Sequence, residues 1–245
     1  MTRGRLRVFL GGAPGVGKTV AMLTEGHRLA EAGEDVVVGL VETHGRAFTL
    51  KQVEGLEVVP RTEVEYKGTM IPEMDLDAIL RRNPDVALVD EMAHTNPHGM
   101  RNAKRWEDIE ELLDAGIDVI STVNVQHIES LNDVVETITG VVQNETIPDG
   151  ALRAADQIDL VDLSPEALRQ RMAHGDIYKP EKIDAALTNY FREGNLSALR
   201  ELALLWLADR VDEALARYRN DNSIEKSWPT RERVVVALSG GRGLI

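Results

Sequence analysis

The feature that most constrains this chain is a glycine-rich stretch close to its beginning. The stretch consists of Gly12, Ala13, Pro14, Gly15, Val16, Gly17, Lys18 and Thr19. It fits the pattern G-x-x-x-x-G-K-[ST], the phosphate-binding loop or P-loop. The apolar run at residues 7–10 predicts a buried strand before it, and residues 20–32 predict a helix after it. A strand, this loop and a helix in succession are the context that makes the motif specific.

Each residue type in the loop suits the binding of phosphate or of the Mg²⁺ that accompanies it. Glycines let the backbone bring its N–H groups close to phosphate oxygens, and the helix N-terminus adds positive potential. Lys18 offers a cation to the β- and γ-phosphates, and Thr19 offers a hydroxyl to Mg²⁺. The alternative is a glycine-rich turn that binds no ligand. Lys18 and Thr19 side by side favour the first interpretation, with ATP and Mg²⁺ as the cofactors.

Composition narrows the classes of partner. The 245 residues carry a formal net charge of −13, which argues against nucleic acid or an anionic membrane as the main partner. The chain has no cysteine, so disulfides and thiolate metal sites are excluded. No signal peptide is visible, and no apolar run approaches the ~20 residues of a membrane span. We therefore expect a cytoplasmic location.

A second motif lies at residues 86–91. Four apolar residues are followed by Asp90 and Glu91, a pattern typical of a Walker B strand. Asp90 is expected to hold Mg²⁺ together with Thr19. Glu91 is a candidate general base for an attacking water.

Polar residues also follow two other predicted strands. Asn124 and Gln126 end the strand at residues 117–125, and we favour Asn124 as the sensor of the γ-phosphate. Glu42 and His44 follow the strand at 35–41, where ligands of open α/β sheets bind, although a hydrogen-bonded loop explains them equally well. Residues 128–139 predict a helix, and His127 is interpreted as a residue at its N-terminus.

The polar loop from Met92 to Arg105 is a candidate lid, with Arg101, Lys104 or Arg105 neutralising phosphate charge. His94 and His98 in this loop have the i, i+4 spacing of a metal-binding pair. Pro97 between them disfavours a helix, so we favour a solvated loop over metal ligation.

The alternation of strands and helices predicts an α/β fold, a P-loop NTPase-like, mostly parallel sheet with helices on both faces, followed by a C-terminal helical segment. Residues 62–71 predict a hairpin insertion that turns around Lys67 and Gly68, and residues 141–148 predict a short extended segment. Asp75 is expected to cap a helix that runs through Arg82. The predicted divisions are a nucleotide-binding core at 1–163, a helical extension packed on the core at 164–220, a linker at 221–233 and the start of another domain at 234–245. Helices of the extension are expected at 164–174, 179–192 and 194–219, with Ser164 as the N-cap of the first and Pro165 at its first helical position. The apolar face of the last one predicts core packing, with partner docking as the alternative.

Several stretches together resemble the N-terminal cytoplasmic domain of the KdpD family, sensor histidine kinases that control a high-affinity potassium uptake pump. The resemblance rests on residues 11–19, 89–96, 104–112, 122–133 and 199–204. Residues 234–245 resemble the start of the universal-stress-protein-like domain that follows in this family. Met92 stands where leucine is more usual.

The resemblance implies an ATP-binding regulatory module within a two-component system. The family's motifs carry over to Gly12, Gly17, Lys18, Thr19 and Asp90. Its phosphorylated histidine and catalytic ATP site lie far C-terminal, beyond membrane spans, so none of the six histidines here is expected to be the phosphoacceptor. Implied partners are other domains of the same sensor and a homodimer formed through the parent protein.

Three functions remain open from the sequence. The first is a regulatory domain whose ATP-bound state biases the kinase and phosphatase activities of the sensor. The second is a slow ATPase with Glu91 as base. The third is a scaffold with a vestigial nucleotide site.

Overall fold

Six strands of the chain form one parallel sheet. The computed structural model describes residues 2–174, 187 and 190–222. The strands of this sheet are β1 Leu6–Gly11, β2 Val36–Leu40, β3 Glu57–Val58, β6 Val86–Val89, β7 Asp118–Asn124 and β8 Gln157–Val161. Their order across the sheet is β3–β2–β6–β7–β1–β8. The predicted parallel α/β sheet is confirmed.

The remaining two strands form the predicted hairpin. Strands β4 Thr62–Tyr66 and β5 Thr69–Glu73 pair antiparallel in a separate two-stranded sheet. Lys67 and Gly68 connect them with positive φ angles of 52° and 78°. This two-residue turn matches the right-handed twist of the strands, which is why the connection is short.

Some of the helices within the described residues begin at a residue whose side chain caps them. The helices that the structure describes are α1 Lys18–Glu31, α2 Ala47–Val53, α3 Leu76–Arg82, α4 Arg105–Asp114, α5 Asn132–Thr139, α6 Asp149–Arg153, α7 Pro165–Ala173 and α8 Glu193–Asp221. The Asp75 carboxylate accepts a hydrogen bond from the Ala78 N–H at 2.8 Å, which starts α3. Ser164 caps α7 with Pro165 in its first turn, as the sequence predicts.

Apolar side chains cover both faces of the sheet. Because side chains alternate along a strand, Val37 faces one side and its neighbours Val36 and Val38 face the other. Met22 and Leu23 of α1 pack on the side of Val36 and Val38. The opposite side receives side chains of α3, α4, α5, α6 and α8. The helices therefore lie on both faces, as expected.

A third apolar group, here called the outer cluster, joins the P-loop to the helical extension. Its buried members are Ala13, Val16, Leu168, Met172, Phe191 and Leu196. The backbone also comes close, because a Cβ added to Gly12 would lie 3.2 Å from the Cα of Arg200. The extension therefore packs directly against the P-loop.

One local expectation was wrong, and another was met only in part. The segment 128–139 was predicted as one helix, but a short 3₁₀ turn precedes α5, which begins at Asn132. Residues 141–148 form no strand. Val141 and Val142 are exposed, and only Ile147 makes an isolated bridge, to Ile128.

The chain divides into two compact units, Met1–Ala208 and Asp209–Ile245. The described part of the second unit is the end of α8, where Arg210 and Glu213 form an ion pair at 3.0 Å. No helix among the described residues has the length and apolar character needed to cross a bilayer. The predicted helix at 179–192 lies almost wholly outside the described residues, as do the predicted linker beyond residue 222 and the predicted domain start at 234–245.

Candidate functional site

The P-loop connects β1 to α1 at the carboxyl edge of the sheet. Gly15 and Gly17 have φ angles of 88° and 109°, a backbone region that glycine adopts at little cost. Gly17 is the N-cap of α1, and no side chain caps this helix within the described part of the chain. The first N–H groups of α1 are therefore available to an anion, where the helix dipole also favours negative charge.

Lys18 is buried beneath this loop and is held by Asn124. Its ammonium donates a short hydrogen bond to the Asn124 side-chain oxygen. The two meet because β7 pairs with β1, with Asn124 opposite Gly11. Burial lowers the pKa of Lys18 to about 8, although the nearby charges of Asp90 and Glu91 act against this. Gln126 instead accepts a hydrogen bond from the Tyr190 hydroxyl, and the role of Asn124 as γ-phosphate sensor stays a prediction.

Asp90 follows β6 and lies beside Thr19, as predicted. The Thr19 hydroxyl donates to Asp90 Oδ2 at 3.0 Å. The Thr122 hydroxyl donates to Asp90 Oδ1, and the Glu42 N–H lies 3.3 Å from Oδ2. Burial and the charge of Glu91 raise the pKa of Asp90 above its ordinary value. A hydroxyl beside a carboxylate is a donor set suited to a hard cation such as Mg²⁺.

Glu91 and His44 form a pair at the rim of the site. His44 Nε2 lies 3.4 Å from Glu91 Oε1. Both residues have a positive φ, 51° for His44 and 56° for Glu91, which is unusual for non-glycine residues. Burial acts to raise the pKa of Glu91, but His44 and other cations outweigh it, so the pKa lies below its ordinary value. The hydrogen bond to Glu91 raises the pKa of His44.

A cavity of about 110 Å³ opens between these groups. Its lining residues are Pro14, Gly15, Lys18, Thr19, His44, Arg46, Asp90, Glu91, Ala93, His94, Thr122, Val123, Asn124, His127 and Glu145. Arg46 belongs to the polar stretch after β2 that was expected near a ligand, whereas Thr122 and Glu145 were not identified from the sequence. Thr122 could have been found, because it lies two residues before Asn124 on the strand beside β6. Glu145 lies in a loop without a local signal.

A larger cleft, of about 640 Å³, lies at the opposite, amino edge of the sheet. Its carboxylates already bind backbone N–H groups there. Asp156 accepts from Leu6 N at 2.8 Å, and Asp118 from Arg5 N at 2.8 Å. These bonds satisfy the starts of strands, so the smaller cavity is the better candidate site.

The basic residues predicted to form a lid lie elsewhere. Arg105 is 2% exposed, and its Nη2 lies 3.0 Å from Glu73 Oε2. Its Nη1 donates to the backbone carbonyls of Asp90 and Glu91 at 3.3 and 3.4 Å. Arg101 pairs with Asp77 and Glu111 outside the cavity. Lys104 donates to Thr95 at 2.7 Å. Arg105 therefore supports the Walker B segment from behind.

His94 is bound to two carboxylates. Its Nε2 lies 3.0 Å from Glu73, and its Nδ1 lies 3.3 Å from Glu145. Burial alone would lower the pKa of His94, but these carboxylates raise it to about 9. His98 is exposed and does not share a helix with His94. The imidazolium of His94 thus fastens the loop to the site.

Comparison with known proteins identifies the family that this chain matches. A profile of the family described as KdpD, osmosensitive K⁺ channel His kinase sensor domain, matches residues 2–211. A sensor protein KdpD of Mycobacterium tuberculosis is 63% identical over 98% of this chain and 28% of its own length. The corresponding protein of Escherichia coli K12 is 52% identical over 98% of this chain and 27% of its own length. A putative sensor protein KdpD of Synechocystis is 48% identical over 97% of this chain and 63% of its own length.

The chain thus spans a little over a quarter of the length of the first two relatives. The match runs through the strands, the P-loop and most of α8. On these findings the chain belongs to the KdpD family, as an osmosensitive K⁺ channel His kinase sensor domain.

Proposed function

We propose that this chain is an ATP- and Mg²⁺-binding regulatory domain, which tunes the kinase and phosphatase activities of a sensor histidine kinase for potassium. The observation that carries the proposal is the convergence of Lys18, Thr19, Asp90 and Asn124 on one cavity at the P-loop. The residue types fit a metal-bound polyphosphate.

Each residue has a distinct task in this proposal. The P-loop glycines and the first N–H groups of α1 hold phosphate oxygens. Thr19 and Asp90 hold Mg²⁺. Lys18 exchanges its bond to Asn124 for a phosphate oxygen, which leaves Asn124 free to contact the γ-phosphate. Because Lys18 and Asn124 are bonded to each other before binding, nucleotide favours a different arrangement, which is what a regulatory ligand requires.

The site is proposed to act on the other domains of the sensor protein. The chain spans little more than a quarter of the Mycobacterium and Escherichia relatives, and the family resemblance implies a kinase core C-terminal to the part that it matches. We propose that its partners are the other domains of the same sensor, within a homodimer at the cytoplasmic face of the membrane. The described helical extension packs on the P-loop and is the element best placed to pass on its state.

The direct test is calorimetric titration of Mg·ATP into the 245-residue chain and into Lys18→Ala. We expect binding that Lys18→Ala abolishes and that the exposed-site control Lys51→Ala retains. In the full-length sensor, Lys18→Ala should alter signal output. Absence of binding in the unmodified chain would contradict the proposal and favour a scaffold with a vestigial site.

A second candidate function, slow ATP hydrolysis, is favoured by the Glu91–His44 pair. The lowered pKa of Glu91 keeps its carboxylate ionised at neutral pH, as a base must be. We expect Glu91→Gln to retain Mg·ATP binding and to lose phosphate release. Equal release from Glu91→Gln and the unmodified chain would exclude Glu91 as the base.

A further inference from the structure

Arg171 lies in the last turn of α7, the helix that packs against the outer side of the P-loop. Leu168 and Met172 of the same helix belong to the outer cluster with Val16, so the position of α7 relative to the loop is fixed by buried contacts. A Cβ built on Gly17 would lie 3.7 Å from Nη1 of Arg171. The guanidinium therefore sits beside the residue that caps α1.

Arg171 differs from the other arginines around it. Arg169 donates to the backbone carbonyl of Leu187 at 3.2 Å. Arg200 donates to both carboxylate oxygens of Asp162, at 2.6 to 2.9 Å. Within the described part of the chain, Arg171 has neither a hydrogen-bonded partner nor an ion-paired one. Its five N–H donors are thus available at the edge of a loop built to receive an anion.

The charge of a bound nucleotide favours a further cation at this position. A nucleotide polyphosphate carries more negative charge than one Mg²⁺ neutralises. The cavity is lined by the carboxylates of Asp90, Glu91 and Glu145. Its cations are Lys18, Arg46 and the His94 imidazolium, which is already bound to two carboxylates. A guanidinium binds phosphate in a bidentate, charge-assisted geometry that suits this position.

We infer that Arg171 is a phosphate-binding residue of this site, which contacts the polyphosphate of the bound nucleotide from α7. The inference rests on the proposed ATP site and adds to it a ligand from the helical extension. It ties α7 to the bound nucleotide through a charged contact as well as through the outer cluster. Nucleotide binding then restrains the extension and not the P-loop alone.

A simpler role for Arg171 is to complement the helix dipole at the end of α7. That role needs only a positive charge in the last turn and has no effect on nucleotide affinity. Arg171→Met and Arg171→Gln remove the charge and keep much of the side chain. Arg200→Met is the matched control, since it removes an arginine beside Gly12 that is already bound to Asp162.

The experiment is calorimetric titration of Mg·ATP and Mg·ADP into the 245-residue chain and these variants, with a melting curve of each variant without nucleotide. We expect Arg171→Met and Arg171→Gln to weaken the binding of at least one of the two nucleotides about tenfold or more, because each variant loses a charged hydrogen bond to phosphate. Arg200→Met should stay within about twofold of the unmodified chain for both.

Two results would separate the claims. If the unmodified chain binds and Lys18→Ala does not, while a folded Arg171 variant binds both nucleotides as tightly as the unmodified chain, the inference about Arg171 is wrong and the ATP site stands. If the unmodified chain binds neither nucleotide, the proposed function itself fails. Equal losses in Arg171→Met and Arg200→Met would also overturn a specific contact, since they would reflect disturbance of the extension.

Discussion

At the scale of one residue, Lys18 shows that a side chain placed for ligand binding lowers the stability of the fold. A protonated ammonium is buried here with one amide oxygen as its hydrogen-bond partner and with carboxylates nearby. Burial of a charge without a close ion pair is unfavourable, and the pKa of Lys18 falls to about 8 for that reason. The site therefore holds a cation that a bound phosphate would stabilise.

The pH dependence of stability follows from the sign of this change. Between about pH 8 and pH 10.5 the unfolded chain binds a proton that the folded chain has released, so Lys18 makes the free energy of unfolding rise with pH there. Below that window the full cost of the buried charge is present. The fall from 10.5 to about 8 sets that cost at no more than roughly 3 kcal/mol.

We therefore predict that Lys18→Met is more stable than the unmodified chain at pH 7, by about 1–2 kcal/mol after the lost bond to Asn124 is counted. The advantage should shrink as the pH approaches 10. Urea unfolding at several pH values between 7 and 10 measures both effects, with the exposed Lys51→Met as control. A Lys18→Met chain that is less stable at pH 7, or an advantage independent of pH, would contradict this account.

At the scale of the element, the segment from Met92 to Lys104 is shaped by side chains and not by a helix or strand. Asn96 is buried, and its amide donates to Asp108 of α4 at 2.7 Å. The Lys104 N–H donates to Glu107 at 2.9 Å, which fixes the start of α4. Arg105 then fastens this segment to Glu73 at the end of β5.

We predict that Arg105→Met destabilises the chain by about 3 kcal/mol, because it leaves the buried Glu73 carboxylate with only His94 as a partner. The double variant with Glu73→Gln should be more stable than Arg105→Met alone, since the unpaired charge is gone. The exposed Arg101→Met should cost less than about 1 kcal/mol. Urea midpoints of the unmodified chain, the single variants Arg105→Met and Glu73→Gln, their double variant and Arg101→Met measure these differences. Simple addition of the effects of Arg105→Met and Glu73→Gln would contradict a coupled pair.

Local sequence patterns predicted several elements of the fold correctly. The apolar runs of the six-stranded sheet, the hairpin at Lys67–Gly68 and the caps at Asp75 and Ser164 are local features, and the structure confirms them. The joint position of Lys18 and Asn124 was also within reach, because carboxyl ends of neighbouring parallel strands meet at one edge.

Other parts of the site could not be predicted, because they depend on contacts between segments far apart in sequence. Arg105 looked like a lid residue, since nothing local indicates that Glu73, at the end of a mostly exposed hairpin, turns inward to meet it. Arg171 gave only the signal of a basic residue near a helix end. Its place beside Gly17 follows from the outer cluster, which joins residues about 150 positions apart.

At the scale of the whole molecule, the P-loop and the helical extension share one core. Ala13 and Val16 are covered by side chains of α7 and α8 and the residues between them. Leu199, Ala203 and Trp206 of α8 belong to the main cluster on one face of the sheet. Residues up to Ala208 accordingly form one compact unit with the sheet.

This shared core predicts different fates for two shortened chains. A chain that ends at residue 163 exposes the surface that Leu168, Met172, Phe191, Leu196, Leu199, Ala203 and Trp206 bury. Each large apolar side chain contributes roughly 2 kcal/mol on burial, so their loss together is comparable with the 5–15 kcal/mol that typically stabilises a domain.

We expect residues 1–163 to lack a cooperative melting transition. Residues 1–208 should melt cooperatively and bind Mg·ATP within about threefold of the 245-residue chain. Cooperative melting of both shortened chains at the same temperature would mean that the extension is a separate domain. That result would contradict a core shared by the P-loop and α8.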